Sequence, residues 1–333
     1  MPPMPPSARR TAFVTGGTGF VGLNLVKELM NRDWDVTALH RPASNLTFLN
    51  RFRPRLVVGE TTDGASLRSA VPKGTDTVFH VAGNTSMWRK GDAEQTRDNV
   101  DGTRNVVEAA LANGVRRLVV TSSISAYGPV SGEVTEETLS RAANSRVNYQ
   151  RSKWQAQEIA LAAVSRGLEV VVMQPGAIMG PYDLGTWSRV FIMVRDAKLP
   201  GVPPAELTFT HVRECVAAHI AAADQGENGG KYLLGGENKT MLDLVREVSA
   251  LLKKPAPEKE ISPILLRVIA AAGDLVGNFT GKQPAITREM ADSFGRKLKV
   301  TSAKAQRELG YRVVALKDMV KDCYDWMVAE KRI

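Results

Sequence analysis

The chain has 333 residues and a net charge of +9, with 43% hydrophobic and 24% charged residues. That length is enough for one large domain or two modest ones, and the composition is that of an ordinary globular enzyme. The positive charge favours anionic ligands such as phosphates. Because no Lys/Arg-rich run of nuclear-targeting density is present, we expect no nucleic-acid partner.

Cysteine and histidine are too few for a disulfide framework or a metal centre. The two cysteines, Cys215 and Cys323, lack metal-binding spacing and fit a reducing compartment, so we expect a cytoplasmic protein. None of the four histidines has the spacing of a helical metal pair. We therefore interpret the histidines as structural and expect no metal ion.

Targeting and membrane signals are weak. The proline-rich segment 1–10 lacks the apolar core of a signal peptide and is predicted to be a short disordered arm. The longest apolar stretch, Ile264–Phe279, is interrupted by Arg267 and Asp274 and is shorter than a membrane span. It is predicted to be a helix whose broad apolar face packs in the core, and we expect no membrane span.

The first half of the chain alternates short apolar runs with helical patterns. The predicted strands are Ala12–Thr15, Asp35–His40, Leu56–Gly59, Thr77–Ala82, Leu118–Ser122 and Glu169–Gln174. The predicted helices begin near Gly19, Ser66, Glu94 and Asn148. Since the strands are nearly all apolar rather than alternating, helices are expected to cover both faces of a parallel sheet. The pattern predicts a doubly wound α/β domain.

The pattern changes after Pro175. Loops become richer in Gly and Pro, one more strand is predicted near Lys231–Leu234, and helical patterns dominate after Met241. We therefore expect an α/β domain over 11–175, with 205–236 returning to its sheet. The segments 176–204 and 237–333 are expected to form a smaller, mostly helical lobe that binds the substrate.

A glycine-rich turn follows the first strand. Gly16, Gly19 and Gly22 are spaced three apart between a strand and an amphipathic helix. The first glycine permits a tight turn, the second a close approach of backbone to a pyrophosphate, and the third close packing of helix on strand. The helix N-terminus offers free N–H groups to phosphates. This predicts a Rossmann-type domain that binds a nicotinamide dinucleotide through Gly16, Thr18, Gly19, Phe20, Val21 and Gly22.

The end of the second strand bears on the type of dinucleotide. NAD-binding domains place an acidic residue here for the ribose hydroxyls, whereas this chain has His40 and Arg41. An arginine at this position can pair with a 2′-phosphate. We predict NADP as the cofactor, with NAD as the alternative in which Arg41 is an ordinary surface residue.

A tyrosine, a lysine and a serine form a candidate catalytic set. Tyr149 and Lys153 are four residues apart, so a helix places them on one face, and a nearby cation lowers the pKa of a phenol. Such a tyrosine can act as a general acid or base. Ser123 follows a predicted parallel strand, where ligands of open α/β sheets bind, and its hydroxyl can hold a carbonyl or alcohol oxygen.

Taken together, the motifs resemble the extended short-chain dehydrogenase/reductase family of NAD-dependent epimerase/dehydratases and dihydroflavonol-reductase-like enzymes. The resemblance covers nearly the whole chain. The matching segments are 15–22, 80–83, 99–103, 121–128, 149–153, 174–176, 180–181, 211–214 and 309–311.

The resemblance implies residue roles. Tyr149 would be the acid/base, Lys153 would lower its pKa and contact the nicotinamide ribose, Ser123 would polarise the substrate oxygen, and Asn99 would support the site. The remaining cofactor contacts that it implies are Glu60 beside the adenine, Ala82 and Gly83 along the cofactor, and Pro175, Gly176, Ala177 and Ile178 near the nicotinamide.

A motif that this chain lacks indicates which class of substrate it acts on. Nucleotide-sugar relatives resemble Arg-Pro-x-Asn-x-x-Gly-Pro after the sixth strand, but this chain has Gln174 and Ala177 at the arginine and asparagine positions. A diphosphate needs strong donors. The predicted substrate residues, most of them apolar, are Thr85, Met87, Trp88, Ser125, Met179, Tyr182 and Trp187. For Met179 and Trp187, ordinary core packing is the alternative.

These observations favour reversible hydride transfer between NADP(H) and a ketone, aldehyde or secondary alcohol on a mainly apolar small molecule. One alternative is a nucleotide-sugar epimerase or dehydratase. Another is a non-catalytic cofactor-binding sensor or scaffold, which would not require Ser123, Tyr149 and Lys153 together. The resemblance further implies a homodimer formed through the helices near 94–113 and 148–166.

Overall fold

The computed structural model describes residues 9–199, 201–294 and 298–333. In this part of the chain, strands β1 to β12 are Thr11–Thr15, Asp35–His40, Arg55–Val58, Thr77–His80, Arg117–Thr121, Gly132–Val134, Glu169–Pro175, Ala177–Met179, Glu206–His211, Lys231–Leu234, Asn238–Thr240 and Leu298–Val300. Helices α1 to α12 are Phe20–Asn31, Gly64–Ala70, Asp92–Thr96, Gly102–Ala112, Asn148–Ala162, Ser188–Arg195, Val212–Gln225, Met241–Leu252, Pro263–Thr280, Arg288–Ser293, Ala303–Leu309 and Leu316–Ala329.

Seven strands form one parallel sheet with the order β10-β7-β5-β4-β1-β2-β3. The chain starts in the middle of this sheet and builds outward first on one side of β1 and then, from β4, on the other. The carboxyl ends of β1 and β4 therefore border the crevice in which such sheets bind ligands. The order confirms the predicted doubly wound, Rossmann-type architecture.

Apolar side chains cover both faces of the sheet, as the continuous apolar runs predict. Neighbouring residues of a strand point to opposite faces. Val119 of β5 packs in the same cluster as Leu25 of α1 and Val216 of α7. Leu118, one residue earlier, packs with Val106 of α4 on the other face. The protein thus has three layers, with the sheet between two sets of helices.

Two helices begin two residues before their predicted positions. The helix predicted near Ser66 begins at Gly64, because the Asp63 carboxylate accepts hydrogen bonds from the backbone N–H groups of Ala65 at 3.0 Å and Ser66 at 3.1 Å. The helix predicted near Glu94 begins at Asp92.

The segment 205–236 departs from its predicted arrangement in one part. β10 pairs with β7 in the main sheet, and α7 packs beside α1. β9, however, lies in a separate three-stranded sheet, where it pairs in parallel with β8 and antiparallel with β11. The return to the main sheet is therefore made by α7 and β10, and β9 does not take part in it.

The carboxyl-terminal region is mostly helical, as predicted. Helices α6, α8 and α12 pack against one another, α9 packs against α10, and β12 pairs in parallel with β6. Residues 1–8 of the predicted arm lie outside the described residues. Arg10 is ordered by its ion pairs to Asp76 at 2.7 Å and Asp224 at 2.6 Å, so the prediction of a disordered arm is wrong for this residue.

Helix α9 contradicts the prediction that its apolar face packs in the core. By length and composition it is apolar enough to cross a membrane, and only 17% of it is buried against the rest of the protein. Ile264 is 75% and Phe279 85% exposed. Periodicity correctly predicts a helix with an apolar face but does not specify what covers that face.

Candidate active site

The glycine-rich turn packs tightly against the segment that follows β4. Gly16 has a φ of +71°, and a Cβ there would lie 2.6 Å from the Ala82 nitrogen. A Cβ on Gly22 would lie 2.0 Å from the Gly16 carbonyl oxygen. Both positions therefore require glycine, because any side chain would displace backbone. The turn leads directly into α1, whose first residue is Phe20.

A groove of about 790 Å³ runs along the carboxyl ends of the strands from this turn. It brings together many of the predicted cofactor residues from four strand ends. The predicted residues that line it are Gly16, Thr18, Gly19, Arg41, Glu60, Ala82, Gly83 and Thr85. A groove of this size, with close backbone approach at Gly16 and an open helix N-terminus, fits an extended dinucleotide.

The end of β2 contributes a basic and a hydroxyl group to the groove. Arg41 and Ser44 both line it, and the backbone N–H of Arg41 donates to the Ser44 hydroxyl oxygen at 3.1 Å. This local hydrogen bond fixes the turn after the strand. Glu60, from the end of β3, lines the same groove.

The catalytic candidates meet where β5 approaches α5. Tyr149 lies in the first turn of α5, and its phenol is close enough to the Ser123 side chain for the serine to lower the phenol's pKa. Ser123 Oγ accepts from the backbone N–H of Ser125 at 3.1 Å, which holds the serine in place. Burial raises the pKa of Tyr149, and the Ser123 side chain offsets part of that rise. The phenol is therefore protonated at neutral pH.

Lys153 follows one helical turn later and is nearly buried. Its Nζ donates to the Thr121 carbonyl oxygen at 2.7 Å. Burial lowers the pKa of Lys153 to about 8. The expected lowering of the Tyr149 pKa by Lys153 is not what the structure shows, since desolvation dominates at Tyr149 and the ammonium contacts a backbone carbonyl.

Asn99 lies in a π-helical turn, Arg97–Asp101, between α3 and α4. Its Oδ1 accepts from the backbone N–H of Asn84 at 2.7 Å, and its Nδ2 donates to the Ser152 hydroxyl at 3.1 Å. A Cβ on Gly83 would lie 3.5 Å from Asn99 Oδ1 and 3.7 Å from Lys153 Nζ. Asn99 therefore ties the segment after β4 to the catalytic helix, and π-turns are frequent at functional sites.

Two buried histidines brace the strand ends beneath the site. His80 bridges the hydroxyls of Thr15 at 2.8 Å and Thr103 at 3.0 Å, and burial lowers its pKa to about 3. His219 contacts the Thr121 hydroxyl at 2.9 Å, and burial lowers its pKa to about 4. Both rings are neutral at physiological pH, and their hydrogen bonds join neighbouring elements, as the structural interpretation predicts.

Two predicted substrate residues belong to the core, which for Met179 is the stated packing alternative and for Tyr182 contradicts the prediction. Met179 is fully buried. Tyr182 packs its ring against Phe48, Phe52 and Trp326. Neither is among the described residues that line the groove. From sequence alone, an apolar side chain that follows a strand can either line a pocket or pack in the core. In this protein both Met179 and Tyr182 pack in the core.

The other predicted substrate residues lie near the groove or beside it. Thr85 lines it, and Ser125 orients Ser123 through its backbone N–H. Trp88 borders a second cavity of about 760 Å³ next to α9. The Met87 carbonyl accepts a hydrogen bond from the Thr287 hydroxyl. The Trp187 ring meets Phe209 edge-on with centroids 5.4 Å apart, which is the packing alternative.

The predicted nicotinamide segment 175–178 lies at the end of β7 and in β8. Gly176 donates its N–H to the Thr210 hydroxyl at 3.2 Å, and Ala177 and Ile178 pair with β9. None of the four is among the described residues that line the groove. Their predicted cofactor contacts remain a prediction.

Several residues that line the groove were not predicted from the sequence. They come from the segment that leads into α6, from α6 itself and from the chain after α9, and they are Gly185, Thr186, Arg189, Gln283, Pro284, Ala285 and Met290. The buried Asp183 carboxylate accepts hydrogen bonds from the backbone N–H groups of the four residues 185–188 and so fixes the first of these segments. No motif in the sequence marks them. Within the described residues, no group of three or more acidic, His or Cys side chains is placed to hold a metal ion.

Comparison with known proteins identifies the family of the chain. The model of the family described as NAD dependent epimerase/dehydratase matches residues 12–235. A putative dihydroflavonol 4-reductase from Synechocystis sp. is 30% identical over 322 residues, covering 94% of this chain and 93% of that protein. Sterol demethylase protein B from Methylococcus capsulatus is 29% identical over 322 residues, covering 95% and 98% respectively.

Among solved structures, that of gox2253 has a TM-score of 0.82 to this chain at 29% identity, covering 98% of this chain and 100% of the other. The similarity extends over the main sheet and the carboxyl-terminal lobe alike. The resemblance predicted from the motifs is confirmed, and the chain belongs to the NAD dependent epimerase/dehydratase family.

Proposed function

We propose that the protein is an NADP-dependent reductase/dehydrogenase that interconverts a carbonyl and a secondary or primary alcohol on a mainly apolar small molecule. The observation that carries the proposal is the position of the Tyr149 phenol next to the Ser123 side chain, one helical turn before Lys153. The bound nicotinamide supplies or accepts the hydride.

The roles of the side chains follow from their contacts. The Ser123 hydroxyl and the Tyr149 phenol would hold the substrate oxygen together. In the reducing direction Tyr149 donates its proton to that oxygen, and in the oxidising direction it takes the proton back. Because burial raises the pKa of Tyr149, the phenol is protonated at neutral pH, which is the form that donates the proton in the reducing direction. We propose that Lys153, Asn99, Gly83 and the turn at Gly16 hold the cofactor beside this pair.

The apolar substrate class is supported by the surroundings of Gln174. Gln174 is fully buried, accepts from the Tyr127 hydroxyl at 3.1 Å and donates to Gln157 at 2.8 Å. It is therefore engaged in the core and is not offered to a diphosphate. The similarity to sterol demethylase protein B agrees with a large apolar substrate.

A second candidate, a nucleotide-sugar epimerase or dehydratase, is favoured by one observation. Arg189 is exposed and lines the groove, where it could pair with a diphosphate. The two candidates are separated by assaying NADPH-dependent reduction of apolar ketones and aldehydes against conversion of UDP-sugars. We expect turnover of the carbonyl compounds, unchanged in KM by Arg189→Ala. Turnover of UDP-sugars, with a KM that Arg189→Ala raises, would instead establish the second candidate.

The preference for NADP rests on Arg41 and Ser44 at the groove. Since a charge-assisted pair to the 2′-phosphate is lost, Arg41→Ala should raise the KM for NADPH about tenfold to hundredfold and leave the KM for NADH nearly unchanged. Arg55→Ala, at the opposite end of the neighbouring strand β3, is the matched control. Equal KM values for the two cofactors in the unaltered enzyme would contradict the proposal.

We also propose that the protein is a cytoplasmic homodimer, and that 176–204 and 237–333 act as the substrate lobe. Both cysteines, Cys215 and Cys323, are free buried thiols, which suits a reducing compartment. Dimerisation through α4 and α5 is expected, and light scattering at micromolar concentration measures it.

A further inference from the structure

Helix α9 turns its small residues toward the protein and exposes its large apolar residues, which is the reverse of an ordinary surface helix. The side turned to the protein carries mostly small residues, namely Leu266, Ala270, Gly273 and Gly277. A Cβ on Gly277 would lie 3.1 Å from Pro284 Cδ and 3.4 Å from Trp88 Cζ2, so the helix is seated closely on its neighbours. Its position on the protein is therefore set by small residues, and its large apolar residues are left for the outside.

The outer side of α9 is a continuous apolar stripe. Its members recur at intervals of three or four residues along the helix and are Ile264, Val268, Ala272, Leu275 and Phe279, with Leu265 and Val276 beside them. Val268 is 59%, Leu275 60% and Val276 60% exposed. Scattered exposed apolar residues are common, but a contiguous stripe along about four helical turns marks an interaction surface.

Exposed cations lie on and beside α9, whereas the acidic groups near Leu275, namely Asp274, Glu289 and Asp292, line the second cavity. The acidic residue of α9, Asp274, is turned inward and pairs with Arg288 at 3.6 Å. Arg267 on α9, Lys282 just after it, and Lys90, whose Nζ reaches the Asn278 carbonyl at 3.5 Å, are exposed. Long basic side chains can extend from an apolar surface to reach anionic headgroups.

We propose that α9 binds the surface of a bilayer that contains anionic lipids. The helix lies in the plane of the interface, with its apolar stripe in the acyl boundary and the flanking cations at the headgroups. The close seating of Gly277 against Pro284 and Trp88 keeps the helix on the protein and argues against a spanning role. The proposal does not depend on the reaction proposed above.

The position of α9 connects this surface to the groove. Gln283, Pro284 and Ala285, which follow α9 directly, line the groove, and Leu275 of the helix borders the second cavity together with Trp88. A protein bound through α9 therefore holds both openings close to the lipid surface, where an apolar molecule partitioned into the bilayer could enter.

Co-sedimentation with vesicles tests the proposal. The full chain is mixed with vesicles of phosphatidylcholine containing about one-third phosphatidylglycerol, and with phosphatidylcholine alone. We expect binding to the anionic vesicles that high salt weakens. Because two apolar side chains would no longer enter the acyl boundary, the double variant Val268→Asp, Phe279→Asp should lower the partition coefficient more than about tenfold.

Two controls make the result decisive. Leu139→Asp changes an 86% exposed apolar residue far along the chain from α9 and should leave vesicle binding unchanged. Arg267→Glu should weaken binding to the anionic vesicles without altering the thermal midpoint. If the full chain fails to bind anionic vesicles, the proposal is overturned. It is also overturned if light scattering shows a dimer that the double variant dissociates, since α9 would then bind a second copy.

Discussion

Helices α5 and α9 break the ordinary burial pattern in opposite directions. The buried face of α5 carries polar residues, among them Asn148, Ser152, Lys153 and Gln157, whereas the exposed face of α9 carries large apolar ones. The polar groups of α5 have partners, such as the Thr121 carbonyl for Lys153 and Asn99 for Ser152. The stripe of α9 has none within the described part of the protein.

The contrast shows two different reasons why polar residues can be buried or apolar residues exposed. In α5, the energetic penalty of burying polar groups is met by hydrogen bonds inside one molecule, and the result is a preorganised site. In α9, the exposed apolar area remains available to something outside the molecule. Departures from the local folding rules concentrate where proteins function. Helix α5 departs from them by burying polar residues, and helix α9 departs from them by exposing apolar residues.

Tyr149→Phe tests the buried polar site of α5 and is expected to have the largest effect of the substitutions on kcat. Because the proton donor is removed while the ring remains, kcat should fall about a thousandfold with little change in cofactor affinity. Stopped-flow or absorbance assays measure turnover, and fluorescence titration measures binding of NADPH. Tyr324→Phe on α12 is the matched control and should retain full activity. Undiminished turnover in Tyr149→Phe would remove the proposed mechanism.

The two sides of α9 should respond differently to substitution. Gly277→Val places side-chain atoms against the Lys282 carbonyl, Pro284 and Trp88, so the free energy of unfolding should fall by about 2 kcal/mol. Val276→Asn, one residue away on the exposed side, should change it by less than about 0.5 kcal/mol. Urea unfolding measures both. Equal destabilisation would mean that the stripe is packed rather than exposed.

Lys153→Met is expected to change stability less than Gly277→Val does, and the change should depend on pH. Burial lowers the pKa of Lys153 from 10.5 to about 8, so the charged form is disfavoured in the folded protein. Replacing it should raise the free energy of unfolding by about 1 kcal/mol below pH 8, after loss of the hydrogen bond to Thr121. The gain should shrink as pH rises above 8 and become a loss above 10.5, because a pKa lowered to about 8 corresponds to about 3 kcal/mol of stability that the unaltered protein recovers over this range. A gain that does not depend on pH would contradict this assignment, and activity should be lost throughout.

The sequence predicts well what is local and periodic. The parallel strands were predictable from their apolar runs, and the turn at Gly16 from glycine spacing. Tyr149, Lys153 and Asn99 were predictable because their spacing and order repeat a family pattern. What these residues contact was less accessible. Lys153 and Tyr149 share a helix face, yet Nζ contacts the Thr121 carbonyl, and only the fold reveals that acceptor.

The remaining errors share a physical cause. Met179, Tyr182 and α9 are all apolar, and hydrophobicity says that a residue avoids water without saying which partner it meets. Tyr182 meets an aromatic cluster built from the distant Phe48 and Trp326. Arg189 and Gln283 reach the groove from segments that no motif marks. Such placements depend on long-range packing, which a single sequence does not display.

The π-helical turn at Arg97–Asp101 has a consequence for how this chain tolerates changes in length. A π-turn holds one residue more than an α-helical turn, and each residue rotates a helix by about 100°. Deleting one residue here would restore regular winding and swing the preceding segment about a quarter-turn around its axis. Asn99 would then lose its hydrogen bonds to Asn84 and Ser152. The turn should therefore accept many substitutions on its exposed side and no shortening at all.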